Sequence, residues 1–190
     1  MHESEVKAML EKAGALLEGH FQLTSGLHSD RYVQCALALS IPATAEALGR
    51  GLAEAFEGCG ATVVAGPALG GIVIAHEVAS ALGVRCVFCE REKGKMALRR
   101  GFSLSREDRV LAVEDVVTTG GSVMELADLT EAQGAKVVGV GSIVDRRADK
   151  SSGPRELRSL LKLDLTTWEP GICPLCSKGS MAVKPGSRPT

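Results

Sequence analysis

Val110-Leu111-Ala112-Val113-Glu114-Asp115-Val116-Val117-Thr118-Thr119-Gly120-Gly121-Ser122 passes from a wholly apolar run into two adjacent carboxylates, then into hydroxyls and glycines. An apolar, β-branched run without alternation reads as a strand of a parallel sheet covered on both faces. The residues after it open a helix, expected over about 122–133 and closed by Gly134. Free backbone N–H groups at such a helix start, the helix dipole and Thr or Ser hydroxyls together make a phosphate cradle. The carboxylate pair cannot itself hold phosphate, because like charges repel. It suits the vicinal hydroxyls of a ribose, which need acceptors, or a hydrated Mg²⁺. A plain capped helix would explain a Thr and a Gly, but not Glu114 and Asp115 closing an apolar strand. The spacing is neither that of a Walker A loop nor that of a Rossmann glycine fingerprint.

Working outward, Lys136 to Val144 supplies the next strand, which completes a strand–loop–helix–strand unit. A similar unit lies upstream: the strand Thr62 to Ala65, the loop Gly66-Pro67-Ala68-Leu69-Gly70-Gly71, a helix over about 72–82, Gly83, and the strand Arg85 to Phe88. Two such units predict a doubly wound α/β fold, with ligands bound beyond the carboxyl ends of the strands near the switch point. The loop from Gly66 to Gly71 can also present N–H groups to an anion, although glycine turns after strands are common. Toward the N-terminus, Val6, Met9, Leu10, Ala13, Leu16 and Leu17 carry helical spacing over 3–18. Two short β-like runs, 21–24 and 32–35, flank a turn-rich stretch, and Pro42 fits the first turn of another helix. Residues 90–101 are highly charged around Gly94, the composition of a solvated hairpin. Residues 157–165 read as a last strand or helix, and the tail from Glu169 reads as irregular.

Composition narrows the class. The chain has 190 residues, the size of one domain, with 45% apolar residues but only six aromatic ones, so its core is aliphatic. Lys and Arg number 22 against 23 Asp and Glu, which argues against a polyanion binder working through a bulk positive field. No apolar run approaches the ~18 residues of a membrane span, and the N-terminus is charged rather than signal-like. Six cysteines are too few for a disulfide scaffold, and Cys35, Cys59, Cys86 and Cys89 sit in apolar segments as small buried hydrophobes. A cytoplasmic protein without nucleic-acid or membrane partners is expected.

The segment 110–122 resembles the 5-phosphoribosyl 1-pyrophosphate (PRPP) signature of type I phosphoribosyltransferases. Phe21-Gln22-Leu23-Thr24-Ser25-Gly26, with Ser29 and Tyr32 downstream, resembles the N-terminal hood of the orotate phosphoribosyltransferases. Gly66 to Gly71 resembles their pyrophosphate loop, Asp145-Arg146 their orotate-contacting strand end, and Cys173-Pro174-Leu175-Cys176 with Lys184-Pro185-Gly186-Ser187 a bacterial branch. The resemblance implies a single domain over 1–190, with a doubly wound parallel sheet of the type I kind in a core at about 41–156. A small hood at about 1–40 and a tail at 157–190 complete it. The implied reaction is Mg²⁺-dependent transfer of phosphoribosyl from PRPP to N1 of orotate, in pyrimidine biosynthesis. Its catalytic candidates are Lys95, Glu114 and Asp115. Glu114 and Asp115 would take the ribose hydroxyls, while Val116, Val117, Thr118, Thr119, Gly120, Gly121 and Ser122 would cradle the 5′-phosphate. Thr118 would also touch orotate, and Arg146 would face its carboxylate, where a planar cation suits a planar anion. No side chain would hold Mg²⁺ directly, the ion being carried by PRPP and water. Residues 90–101 match the family's mobile catalytic loop, with Arg91 and Lys95 at basic positions that would meet PRPP. The implied assembly is a homodimer whose loop reaches the neighbouring active site.

Three positions depart from the family pattern. His28 stands where many relatives carry a lysine at the PRPP contact, and Glu92 and Ala97 stand where the loop often carries a second base and a histidine. Cys173-x-x-Cys176 resembles half of a zinc site, but the nearest histidine along the chain, His76, lies about a hundred residues upstream, which favours a structural or bystander role over a metal site, whether within one subunit or shared between subunits. Two alternatives share the fold, a purine phosphoribosyltransferase and a non-catalytic PRPP-sensing regulator. The hood and Arg146 weigh against the first. The near-neutral charge and the lack of an appended DNA-binding segment weigh against the second.

Overall fold

A strand that is apolar on both faces needs a helical layer on each side, and the chain supplies both. The computed structural model describes residues 1–23, 25–147 and 156–185, so Thr24 of the hood motif and Gly186 and Ser187 of the tail motif lie outside the described residues. In chain order the described elements are α1 (Glu3–Lys12), β1 (Leu16–Gln22), β2 (His28–Val33), α2 (Cys35–Leu39), α3 (Pro42–Ala55), β3 (Val63–Pro67), α4 (Gly70–Leu82), β4 (Arg85–Glu92) and β5 (Lys95–Leu98). They continue with β6 (Arg109–Val117), α5 (Gly121–Ala132), β7 (Lys136–Asp145), β8 (Leu157–Lys162), β9 (Thr167–Trp168) and the short α6 (Pro174–Ser177).

The main sheet has the order β5-β4-β3-β6-β7-β8, parallel throughout except for the antiparallel edge strand β5. Alternation along β6 divides the core. Leu111 and Val113 pack with α3 and α4 residues such as Leu48, Leu52 and Ile74, whereas Val110 and Ala112 pack with Val123 and Leu126 of α5. The chain leaves β3 toward β4 on one side and later returns to place β6 on the other side. The switch point therefore falls between β3 and β6, where the glycine loop and the acidic turn meet. Among the described residues, no helix is long and apolar enough to cross a membrane.

Several boundaries differ from the sequence expectation. The first helix stops at Lys12 rather than at residue 18. Gly14 takes a left-handed φ of +66°, and the N–H groups of Ala15 and Gly14 close on the carbonyls of Leu10 and Glu11 at 2.8 and 2.9 Å. This Schellman ending turns the chain, and Leu16 and Leu17 begin β1 instead of extending the helical stripe. The strand expected at 32–35 is shifted, because β2 already begins at His28 and Cys35 starts α2. β4 runs on to Glu92 because β5 pairs with it, from Cys89 opposite Leu98 to Glu92 opposite Lys95. Lys93 and Gly94, at φ +50° and +83°, make the tight turn that such a hairpin requires. The charged segment is thus a regular hairpin. Of residues 157–165, Leu157–Lys162 form the parallel strand β8.

The hood is a second sheet of order β1-β2-β9, so the tail contributes a strand to it. An isolated bridge between Phe21 and Val183 ties the tail to β1 as well. Cys35 and Cys89 are buried as expected, while Cys59 and Cys86 are half-buried.

Candidate active site

β6 does not end before the acidic pair. Glu114 and Val116 are paired with Ser142 and Val144 of β7, so the carboxylates sit on the last turn of the strand rather than in the loop beyond it. Strand alternation sends Asp115 toward α4, and the first turn of that helix confirms the direction. A Cβ added to Gly70 would lie 2.7 Å from both carboxylate oxygens of Asp115. Gly71 is as constrained, since a Cβ there would meet Pro67 at 2.7 Å and the Val113 carbonyl at 3.1 Å. Backbone is thereby brought against the acidic strand end, and only glycine permits that approach. The Ala68 N–H donates to the Cys89 carbonyl at 2.8 Å, which anchors this loop to β4.

Both carboxylates are half-buried and form no ion pair with a described residue. Burial, and then the neighbouring Asp115, push the Glu114 pKa up to about 7. Burial likewise raises that of Asp115, against the lowering effect of the Val116 N–H, which donates to Asp115 Oδ1 at 2.9 Å. Oxygen acceptors that lack a cation partner are what ribose hydroxyls or a hard cation need.

Beyond the pair, Thr118 and Thr119 are exposed, Gly120 takes φ +83°, and α5 begins at Gly121 without a side-chain cap or a first-turn acid. Its first amides are left open, apart from the Gly121 N–H, which donates to Thr119 Oγ1 at a long 3.4 Å. A helix start of this kind attracts an anion such as a phosphate.

Arg146 follows β7, and its N–H donates to the Val117 carbonyl at 2.8 Å, which locks it beside the acidic turn. Its Nε is buried and has no hydrogen-bond partner among the described residues. Burial lowers its pKa, while Tyr32 and Cys35 pull the other way. Tyr32 in turn feels both Arg146 and Asp115, so a hood residue, the residue after β7 and the acidic strand end share one locus. Sequence reasoning used Tyr32 only as a marker of the hood and did not place it against Arg146. The adjacent arginine is different. Arg147 is buried and grips Asp145 through Nε and a terminal nitrogen, both at 2.9 Å.

The β4–β5 hairpin carries the two expected basic residues. Lys95 is exposed and has no ion-pair partner among the described residues. Arg91 is committed, because its guanidinium takes both oxygens of Glu125 on α5 at 2.9 Å and the Gly94 carbonyl at 3.0 Å. To meet PRPP it would have to exchange Glu125 for phosphate. Glu92, which departs from the family pattern, lies 3.7 Å from Arg99.

His28 belongs to a buried cluster inside the hood, where its Nδ1 lies 2.9 Å from His20 Nε2 and 3.3 Å from Cys176 Sγ. His20 was not singled out from the sequence. The signal was a second histidine eight residues before the first, in the hood that the tail joins.

A parallel sheet with an acid pair, an open helix start and a glycine loop at its switch point defines a phosphoribosyltransferase. Residues 39–168 match the phosphoribosyl transferase domain family, and the chain belongs to that family. Within it the chain falls among the orotate phosphoribosyltransferases. It is 50% identical over 188 residues to the orotate phosphoribosyltransferase of Desulforamulus reducens, covering 99% of this chain and 98% of the relative. It is also 50% identical to that of Thermotoga maritima, covering 96% and 98%. The crystal structure of the Mycobacterium tuberculosis orotate phosphoribosyltransferase superposes with a TM-score of 0.70 at 26% identity, over 85% of this chain and 96% of that one.

Proposed function

We propose that this protein transfers the phosphoribosyl group of PRPP to N1 of orotate, giving orotidine 5′-monophosphate and pyrophosphate in pyrimidine biosynthesis. The observation that carries the choice of base is Arg146. It is a half-buried guanidinium whose Nε has no partner among the described residues, held between Tyr32 of the hood and the PRPP turn. A planar carboxylate on the incoming base satisfies that fork, whereas a purine offers no such group.

In this reading Glu114 and Asp115 accept hydrogen bonds from the ribose hydroxyls. Val116 to Ser122 take the 5′-phosphate on open amides and hydroxyls, with Thr118 also reaching orotate. Substitution at the anomeric carbon builds positive charge on the ribose and negative charge on the departing pyrophosphate. The glycine loop and Lys95 meet the second charge, while closure of residues 90–101 excludes the water that would hydrolyse PRPP. Orotate binds as an anion, so no general base is required. The oxygen acceptors of Glu114 and Asp115 suit a hydrated Mg²⁺, which no side chain would hold directly and which, carried on PRPP and water, would supply positive charge against the pyrophosphate. The hood (about 1–40) and tail (157–190) cover the core (about 41–156) as one catalytic domain. The protein works in the cytoplasm as a homodimer in which the hairpin of one subunit serves the other's site.

The direct test is turnover of orotate with PRPP by the purified chain, with and without Mg²⁺, against adenine, guanine and hypoxanthine. Consumption of orotate only in the presence of the divalent ion is expected. Robust turnover of a purine with none of orotate would overturn the assignment.

A further inference from the structure

His20 and His28 of the hood strands and Cys173 and Cys176 of the tail place four ligand atoms within 4.8 Å of one another. Both histidines and Cys173 are buried, and Cys176 is half-buried. His20 Nε2 lies 2.9 Å from His28 Nδ1, 3.5 Å from Cys173 Sγ and 3.8 Å from Cys176 Sγ, while His28 Nδ1 lies 3.3 Å from Cys176 Sγ. With Zn–S near ~2.3 Å and Zn–N near ~2.0–2.1 Å, a tetrahedral Cys₂His₂ site has N···N, N···S and S···S edges of about 3.3, 3.6 and 3.8 Å. The four distances just given lie within about 0.4 Å of these lengths, and every pair in the cluster lies within 4.8 Å.

His20 Nδ1 lies 3.2 Å from Ser180 Oγ, and if it donates there, the single lone pair of Nε2 faces three donors at once, the His28 ring nitrogen and two thiols, of which it can accept one well. A cation at the centre satisfies all four atoms, and Ser180 then serves as the outer partner that fixes the His20 tautomer. Two thiolates offset the charge of a divalent ion, so the buried centre is neutral. Nitrogen and sulfur donors select zinc over Mg²⁺, which keeps this site apart from the oxygen-rich centre at Glu114 and Asp115.

We infer that His20, His28, Cys173 and Cys176 bind one structural Zn²⁺ that clamps the C-terminal tail to the hood. Binding releases the two thiol protons to solvent and leaves no open coordination position for substrate. The clamp seats β2, the strand that delivers Tyr32 to Arg146, against β9 and the tail. The expectation from sequence that Cys173-x-x-Cys176 lacks histidine partners is corrected here. The partners lie some 150 residues away along the chain and are supplied by the fold.

The test uses the full chain purified without a metal-affinity tag. Elemental analysis after gel filtration is expected to give one zinc per chain. Cys173 and Cys176 should resist a thiol reagent until a strong chelator removes the metal. The stripped chain titrated with Co²⁺ should show thiolate-to-metal charge transfer and tetrahedral ligand-field bands, saturating at one equivalent. Cys173→Ser/Cys176→Ser should lose both the zinc and the cobalt spectrum. Should that variant fail to fold, the cobalt titration of the unaltered chain decides alone. No retained zinc together with no charge-transfer band, a Cys173–Cys176 disulfide in the purified chain, or a different metal in the site would each overturn the assignment.

Discussion

Arg146→Ala separates the two halves of the site, and the neighbouring Arg147 provides its control. Arg146 carries a half-buried charge whose Nε meets no acceptor among the described residues, and burial already lowers its pKa. On the proposed reading, removing it strips orotate of a charge-assisted contact worth roughly 1.5–3 kcal/mol, or about one to two decades in KM at ~1.4 kcal/mol per decade. The KM for PRPP should move far less, because the acceptors for ribose and the amides for phosphate belong to β6 and α5. Stability should hold or rise slightly, since the substitution removes a half-buried charge whose Nε has no hydrogen-bond partner among the described residues. Arg147→Ala should behave in the opposite way. It leaves Asp145, only 4% exposed, without its bidentate partner, and breaking a buried pair costs about 3–5 kcal/mol. Steady-state rates with each substrate varied in turn, followed by the loss of orotate absorbance, give the two KM values, and thermal melts give the stabilities. Equal damage to both KM values, or a fall in Tm for Arg146→Ala as large as that for Arg147→Ala, would refute the assignment of Arg146 to orotate.

Gly70→Ala pushes a methyl to 2.7 Å from both oxygens of Asp115, so the KM for PRPP should rise by roughly a decade or more while the fold survives, as kinetics and circular dichroism would show. Glu114, with its pKa raised to about 7, is protonated at mildly acid pH and then loses an acceptor site, so PRPP binding should strengthen as pH rises through about 7. The sign for stability is the reverse. A carboxyl whose folded pKa is raised contributes stability fully below its ordinary value of 4.5, and that contribution is lost as pH rises through about 7. Glu114→Gln should flatten both profiles, in KM against pH and in Tm against pH, and unchanged profiles would count against the buried carboxyl as their source. On the proposed homodimer with shared sites, Lys95→Ala and Asp115→Asn variants, each nearly inactive, should regain activity when their subunits exchange, because one site of the heterodimer then holds both native residues. Verified heterodimers that stay as inactive as their parents would show that Lys95 acts within its own chain.

The residues of 110–122 determined most of the fold and half of the site by themselves. Buried parallel strands are apolar along their whole length, and a phosphate turn is contiguous, so both are written locally. Glycines at 83 and 134 and proline at 42 marked helix ends for the same reason. Leu16 and Leu17 were ambiguous, since two adjacent leucines fit a helical stripe and a strand equally well until Gly14 turns the chain. What only the tertiary structure decided is which distant residues meet. Asp115 against Gly70, Tyr32 against Arg146, and the hood histidines against the tail cysteines depend on sheet order and on the return of β9 to β2. Short-range periodicity holds no record of such pairings. They arise because a parallel sheet brings the carboxyl ends of its strands to one edge, and because an unpaired hood strand satisfies its backbone with whatever segment the chain later brings beside it.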